Sequence, residues 1–280
     1  MTNLQPLVSF LIPSRKRLDM LKASLDSLRK TCADPKNIEA IVIFDEDDLE
    51  TIEGFKELKF DFKVLQIVSK RHGYYGLHHY INNAFTISSG KWFWLWNDDL
   101  KMVGSNWDVV IGEYGEQFVI LNPRNIHPYW EKYCLDATIS PVVPRKWYEI
   151  TNRFSAYNQY DTYINEVAYP LNLVINEDRL VNFHGQVEDE VSAGISYDTV
   201  QLPAQECKKD RDLIRHYLGA KTLFIYRIQR TPYRLEKYLR RRKAHFRRMF
   251  SIQYLGSRLK PARLYKKFSN ALSSKKQDRE

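Results

Sequence analysis

Three polar clusters each follow a short apolar run. Ser14-Arg-Lys-Arg17 follows Leu7–Ile12, Asp45-Glu-Asp-Asp48 follows Ile38–Phe44, and Asn97-Asp-Asp99 follows Lys91–Trp96. Carboxylate oxygens bind hard cations such as Mg2+ and Mn2+ together with phosphate oxygens. A carboxylate also accepts hydrogen bonds from a nucleobase N–H or a ribose hydroxyl. A plainer reading stands beside this one, because Asn, Asp and Ser turn a chain after a strand. His184 closes the short apolar segment Val181-Asn-Phe-His184 just before Gly185. Imidazole is a good Mn2+ ligand and a poorer Mg2+ ligand, but a lone His is also a common half-buried structural residue. Asp161, in Tyr160-Asp-Thr-Tyr-Ile164, opens a helical stretch. There an Asp commonly caps the helix.

The elements that must position these residues follow from hydrophobic periodicity. Leu7–Ile12, Ile38–Phe44, Lys63–Val68 and Lys91–Trp96 read as buried strands, the first ended by Pro13-Ser14. Leu18, Leu21, Leu25 and Leu28 recur at helical spacing up to Lys30, and Gly76–Ser88 reads as a second helix. Strand, helix, strand, loop, strand, helix, strand is the pattern of a parallel α/β sheet. Ligands of such sheets sit beyond the carboxyl ends of the strands. All three polar clusters fall at that edge, and together they are a stronger signal than any one alone. The second half is less regular. Val119–Leu121 and Ala137–Ser140 read as short strands; Trp147–Asn152, Asp161–Ala168 and Lys209–Tyr217 read as helices.

With 44% hydrophobic and 28% charged residues in 280, the chain is globular, which excludes a disordered or collagen-like protein. Cys32, Cys134 and Cys207 are odd in number and lack a CxxC spacing, which argues against a disulfide framework or a cysteine zinc site and fits a reducing compartment. The N-terminus has no basic residue before its short apolar run, unlike a signal peptide, and no stretch reaches the ~18 apolar residues of a spanning helix. The expectation is a cytoplasmic protein. Its net charge of +9 is uneven: Lys221–Glu280 holds 19 Lys and Arg against 3 Asp and Glu, a net +16, while the preceding residues hold 24 against 31, a net −7. An acidic body with a basic tail suggests a catalytic domain tethered to an anionic partner.

The order and spacing of these motifs resemble GT-A fold glycosyltransferases, close to family 2. Val8-Ser-Phe-Leu-Ile-Pro-Ser-Arg-Lys-Arg17 is similar to that family's opening strand and nucleotide loop. Ile41-Val-Ile-Phe-Asp45 is similar to its second strand with a terminal acid, and Phe93-Trp-Leu-Trp-Asn-Asp-Asp99 to the strand leading into its DxD metal motif. The resemblance covers residues 7–200. It implies an α/β fold of GT-A type, a Rossmann-like, mostly parallel sheet flanked by helices over residues 1–220, with a basic helical C-terminal extension over residues 221–280.

The implied activity is metal-dependent transfer of a sugar from a nucleoside diphosphate donor, UDP-sugar favoured, to a hydroxyl on a glycan or lipid-linked acceptor, with inversion. The resemblance makes Asp99 the direct ligand of Mn2+ (or Mg2+) and His184 the residue that completes the metal site. Asn97 stands where the family's first Asp usually stands. It can hydrogen-bond a ribose or a metal-bound water but brings no charge. Asp98 shares either task. Asp45 would receive the nucleobase or ribose edge, with Ser14 and Arg15 facing the same nucleotide. Arg17 caps the following helix or faces solvent. Asp161 matches the base that deprotonates the acceptor, with Glu188, Asp189 and Glu190 as rivals that could instead belong to a loop closing over the donor. Trp107, Tyr129, Trp130 and Trp147 stack on an acceptor sugar or belong to the core; His78, His79 and His127 read as structural or surface.

The tail is a basic amphipathic stretch, Arg240-Arg-Arg-Lys243 and Arg247-Arg248 with aromatic and aliphatic residues between. Such stretches lie on anionic membranes, bind nucleic acid phosphates, or form a solvated face. Peripheral contact with the inner face of a membrane, or with a partner, is preferred to nucleic acid. Two other functions compete: a nucleotidyltransferase of similar fold, which would normally carry a Gly-rich loop that Pro13-Ser-Arg-Lys-Arg17 lacks, and a non-catalytic nucleic-acid-binding protein acting through its tail.

Overall fold

The computed structural model describes residues 5–128, 139–184 and 202–249, with side chains described as far as Ile228. Eight strands form one sheet: β1 (Val8–Ser14), β2 (Ile38–Asp45), β3 (Lys63–Ser69), β4 (Trp92–Leu95), β5 (Leu100–Met102), β6 (Ile120–Asn125), β7 (Val142–Pro144) and β8 (Val174–His184). Their order is β3-β2-β1-β4-β7-β6-β8-β5. The run β3-β2-β1-β4 is wholly parallel. Beyond it the sheet is mixed: β7 is antiparallel to both neighbours, β8 is parallel to β6, and β5 is antiparallel to β8.

The apolar runs have the meaning expected of strands buried on both faces. On β1, Val8, Phe10 and Ile12 point to one side and Leu11 to the other; on β4, Trp92 and Trp94 oppose Phe93 and Leu95. The first side is covered by α1 (Leu18–Thr31), whose Leu21, Leu25 and Leu28 are fully buried. Phe10 stacks on Trp94 at 5.4 Å and meets Trp107 edge-on at 5.1 Å. The second side is covered by α3 (Leu77–Ala84) and, further along the sheet, by α6 (Tyr160–Ala168). Each such aliphatic or aromatic side chain contributes about 1.5–3 kcal/mol on burial, and both faces of these strands contribute. The remaining α-helices among the described residues are α2 (Leu49–Lys56), α4 (Trp107–Gly112), α5 (Arg145–Thr151) and α7 (Ala204–Met249).

Two sequence expectations change. Pro13 does not end β1; the strand runs on to Ser14, with Pro13 opposite Ile43 of β2. Leu11, two residues earlier, accepts from Trp96 on the β4 side, and β4 stops at Leu95, so Pro13 faces a side where no ladder partner is lost. The strand expected at Ala137–Ser140 lies partly outside the described residues; Ile139 and Ser140 form a bend and the strand follows at Val142–Pro144.

Within α7, Gly219 takes a left-handed φ of 70°, a conformation a glycine adopts without steric cost, and the helix breaks there. The chain divides into two compact units, one closing at Ile228 and the other opening at Gln229. Among the described residues no helix is long and apolar enough to cross a membrane.

Candidate active site

The loop after β1 organises the carboxyl edge of the sheet. Lys16 takes a positive φ of 55°, uncommon for a residue with a Cβ, and its N–H donates to Asp48 Oδ2 at 2.7 Å. Asp48 also accepts from Thr51 at the start of α2, so the β1 loop is strapped to the β2 loop. The strap sends the flanking cations in opposite directions. Arg15 donates to Asp45 Oδ2 at 3.0 Å and grips the Asp47 carboxylate with both guanidinium nitrogens. Arg17 donates to Asp98 Oδ1 at 3.3 Å and comes within 3.7 Å of Asp99 Oδ2. Two acidic clusters, one at the end of β2 and one after β4, each receive one cation of the same loop.

Asp98 is buried and accepts from Ser14 Oγ at 2.8 Å. Burial, and then the charge of Asp99, push its carboxyl up to about 6 against the pull of Arg17 and Ser14. Asp99 Oδ1 lies 3.1 Å from His184 Nε2, both side chains being almost wholly buried. Among the described residues no hydrogen-bond donor is aligned on that oxygen. Strand pairing explains the meeting: β5 runs antiparallel to β8 with Leu100 opposite His184, which sets Asp99 beside the end of β8. A buried carboxylate oxygen with spare acceptor capacity next to an imidazole nitrogen suits Mn2+. Among the described residues no group of three or more His, Cys, Asp and Glu is arranged to hold a metal. Asp99 and His184 could supply two side-chain ligands, with phosphate oxygens and water as further ligands.

Asn97 is held from another element. The buried Tyr160 hydroxyl, at the first residue of α6, donates to Asn97 Oδ1. Burial, followed by the charges of Asp161 and Asp99, raises that phenol well above its ordinary value and keeps it a donor. Asp161 is the second residue of α6. Gln159 is the N-cap, so capping is not the task of Asp161; its carboxylate accepts from Thr162 N at 2.6 Å and its charge suits a helix N-terminus. Asp45 is gripped on both oxygens, Oδ1 by the Tyr80 hydroxyl and Oδ2 by Arg15. A carboxylate has about four lone-pair sites, so it can still accept from a ligand.

A continuous set of contacts thus joins Asp45, Arg15, Ser14, Asp98, Asp99 and His184, and Tyr160 links Asn97 to the helix of Asp161. Sequence reasoning missed Arg17, Tyr80 and Tyr160. Arg17 was expected at a cap or in solvent; its backbone does occupy the N-cap of α1, but its guanidinium turns to the acids. Tyr80 and Tyr160 sit at helical spacing among apolar neighbours and carry no signal beyond core material. Trp107 and Trp147 are fully buried and cannot stack on a sugar. His78 and His79 pack on each other at 4.1 Å, beside His72. Tyr129, Trp130, Glu188, Asp189 and Glu190 lie outside the described residues.

A sequence model of glycosyl transferase family 2 matches residues 9–159. No curated protein matches the chain. Among solved structures the chain is similar to the mannosyltransferase PcManGT from Pyrobaculum calidifontis in complex with GDP-Man and Mn2+, at 12% identity and a TM-score of 0.53, over 89% of this chain and 82% of that one. It is also similar to TarS 1-349 of S. aureus in complex with UDP, at 14% identity and a TM-score of 0.47, over 77% and 73%.

Proposed function

Because the chain belongs to glycosyl transferase family 2, a family of glycosyltransferases, we propose that it moves a sugar from a nucleoside diphosphate sugar to a hydroxyl of a glycan or lipid-linked acceptor, with inversion, at the edge formed by Ser14, Asp45 and Asn97–Asp99. Family membership sets aside the nucleotidyltransferase and nucleic-acid-binding readings. The observation that carries the site is the Asp99–His184 pair, with a buried carboxylate oxygen on which no donor is aligned among the described residues. These two residues would hold Mn2+ (or Mg2+), which, when bound, neutralises the charge that develops on the leaving diphosphate.

The other residues have tasks set by their contacts. Asp98, fixed by Ser14 and Arg17, keeps the Asn97–Asp99 turn in place. Asp45 accepts from the nucleobase or ribose, and Arg15 and Ser14 line the same nucleotide. Asn97 turns its amide to the ribose or to water, held by Tyr160. Asp161 receives the proton of the acceptor hydroxyl as that oxygen forms its bond to the anomeric carbon. The bond from that carbon to the diphosphate oxygen breaks on the opposite face, and its electron pair leaves with the nucleoside diphosphate.

UDP-sugars are the favoured donors. The mannosyltransferase of similar fold was solved with GDP-Man, so guanine and uracil donors are to be compared. The test is turnover with a donor panel in Mn2+. Asp161→Asn should bind donor as the wild type does and transfer roughly 10²–10⁴-fold more slowly, the usual contribution of a general base. Transfer at the wild-type rate would place the base elsewhere.

A further inference from the structure

The segment of α7 after Gly219 carries apolar residues on two sides, one against the core and one facing outward. Leu223 and Tyr226 pack inward against the buried core of the sheet's second side. Phe224, Ile225 and Ile228 are left 62%, 43% and 58% exposed. At i, i+1 and i+4 they share one side of the helix, where a surface helix normally shows polar residues. Lys221, a turn earlier, is exposed beside them. The sequence that follows is strongly basic: residues 229–280 hold 17 Lys and Arg against 3 Asp and Glu, a net +14. None of the described helices can span a bilayer, so any membrane contact these residues make would be a surface contact.

We propose that the outward face of α7 around Phe224, Ile225 and Ile228 docks on an anionic lipid bilayer. The three side chains enter the boundary between headgroups and acyl chains, and the basic sequence directly after them is drawn to the lipid charge. Each feature needs the other. A basic chain alone would suit any polyanion, but a duplex or a single strand offers its phosphates to Lys and Arg and no apolar layer to two isoleucines. An apolar patch alone would suit another protein, but a net +14 in the sequence that follows it selects a surface of dense negative charge. Interfacial helices combine these two properties. The proposal stands apart from the donor reading and holds or fails without it.

The test is sedimentation of the full chain with vesicles of phosphatidylcholine alone and with roughly a third phosphatidylserine. The wild type should partition at least about tenfold more strongly to the anionic vesicles, and less at high salt. The triple variant Phe224→Gln, Ile225→Gln, Ile228→Gln, all at exposed positions, should melt as the wild type does and lose about tenfold in vesicle binding. Phe224→Trp provides a second readout: its added emission should shift to the blue on anionic vesicles only. Equal partition to both vesicle types, wild-type binding by the triple variant, or unshifted emission from Phe224→Trp would each overturn the proposal. So would self-association without vesicles that the triple variant abolishes, which would assign the face to a second copy of the chain.

Discussion

Asp98 receives opposing influences. Burial and the neighbouring charge of Asp99 raise its carboxyl from 3.8 to about 6, while Arg17 and Ser14 favour the ionised form. A cation held by Asp99 would add to the second pair and drive the proton off. The sign follows from linkage: below about 6 the cation-free protein holds a proton that the cation-bound protein releases, so affinity falls as pH falls. We expect Mn2+ affinity, measured by calorimetry, to drop up to about tenfold per pH unit below about 6 and to be flat with respect to Asp98 above it. Asp98→Asn should reduce that slope; an unchanged slope would show that Asp98 does not titrate with the site. Arg15 and Arg17 belong to the same scale. Because the Lys16–Asp48 hydrogen bond divides them, one three-residue loop neutralises two acidic clusters that would otherwise repel.

Among the elements, the parallel strands are legible in the sequence because burial on both faces writes them as unbroken apolar runs. Their polar ends are legible for the same reason, since each run stops abruptly at charge. The pairing that brings Asp99 to His184 is not. β5 is three residues long, Leu100-Lys-Met102, too short to show a period, and its partner in β8 lies far along the chain, Leu100 facing His184. The Tyr160–Asn97 bond is hidden likewise, across 63 residues. That bond is the link between the Asn97–Asp99 turn and the helix that carries Asp161. Tyr160→Phe keeps the ring and removes only the hydroxyl, leaving Asn97 Oδ1 without its donor. We expect a loss of about 1–3 kcal/mol in stability and weaker nucleotide binding, read by melting and nucleotide titration. A variant that melts and binds as the wild type does would remove Tyr160 from the account.

At the scale of the molecule, charge and site fall on different stretches of the chain. Residues 1–220 are net negative and carry every residue of the proposed site, whereas the basic excess follows from Lys221 onward. The charge asymmetry is plain from composition; the exposed Phe224, Ile225 and Ile228 are not, because the spacing does not say which side of the helix faces the core. In the proposed reaction Asp99 is the charge that holds a cation against a nucleoside diphosphate. The most direct measurement is thermal melting with UDP and with GDP, in Mn2+ and in EDTA, for the wild type and Asp99→Ala. For the nucleotide that binds, the wild type should gain about 2.7 kcal/mol at roughly a hundredfold excess over its Kd with Mn2+ and little in EDTA. Asp99→Ala should melt normally without ligand and gain nothing with it; stabilisation of that variant equal to the wild type would contradict the account.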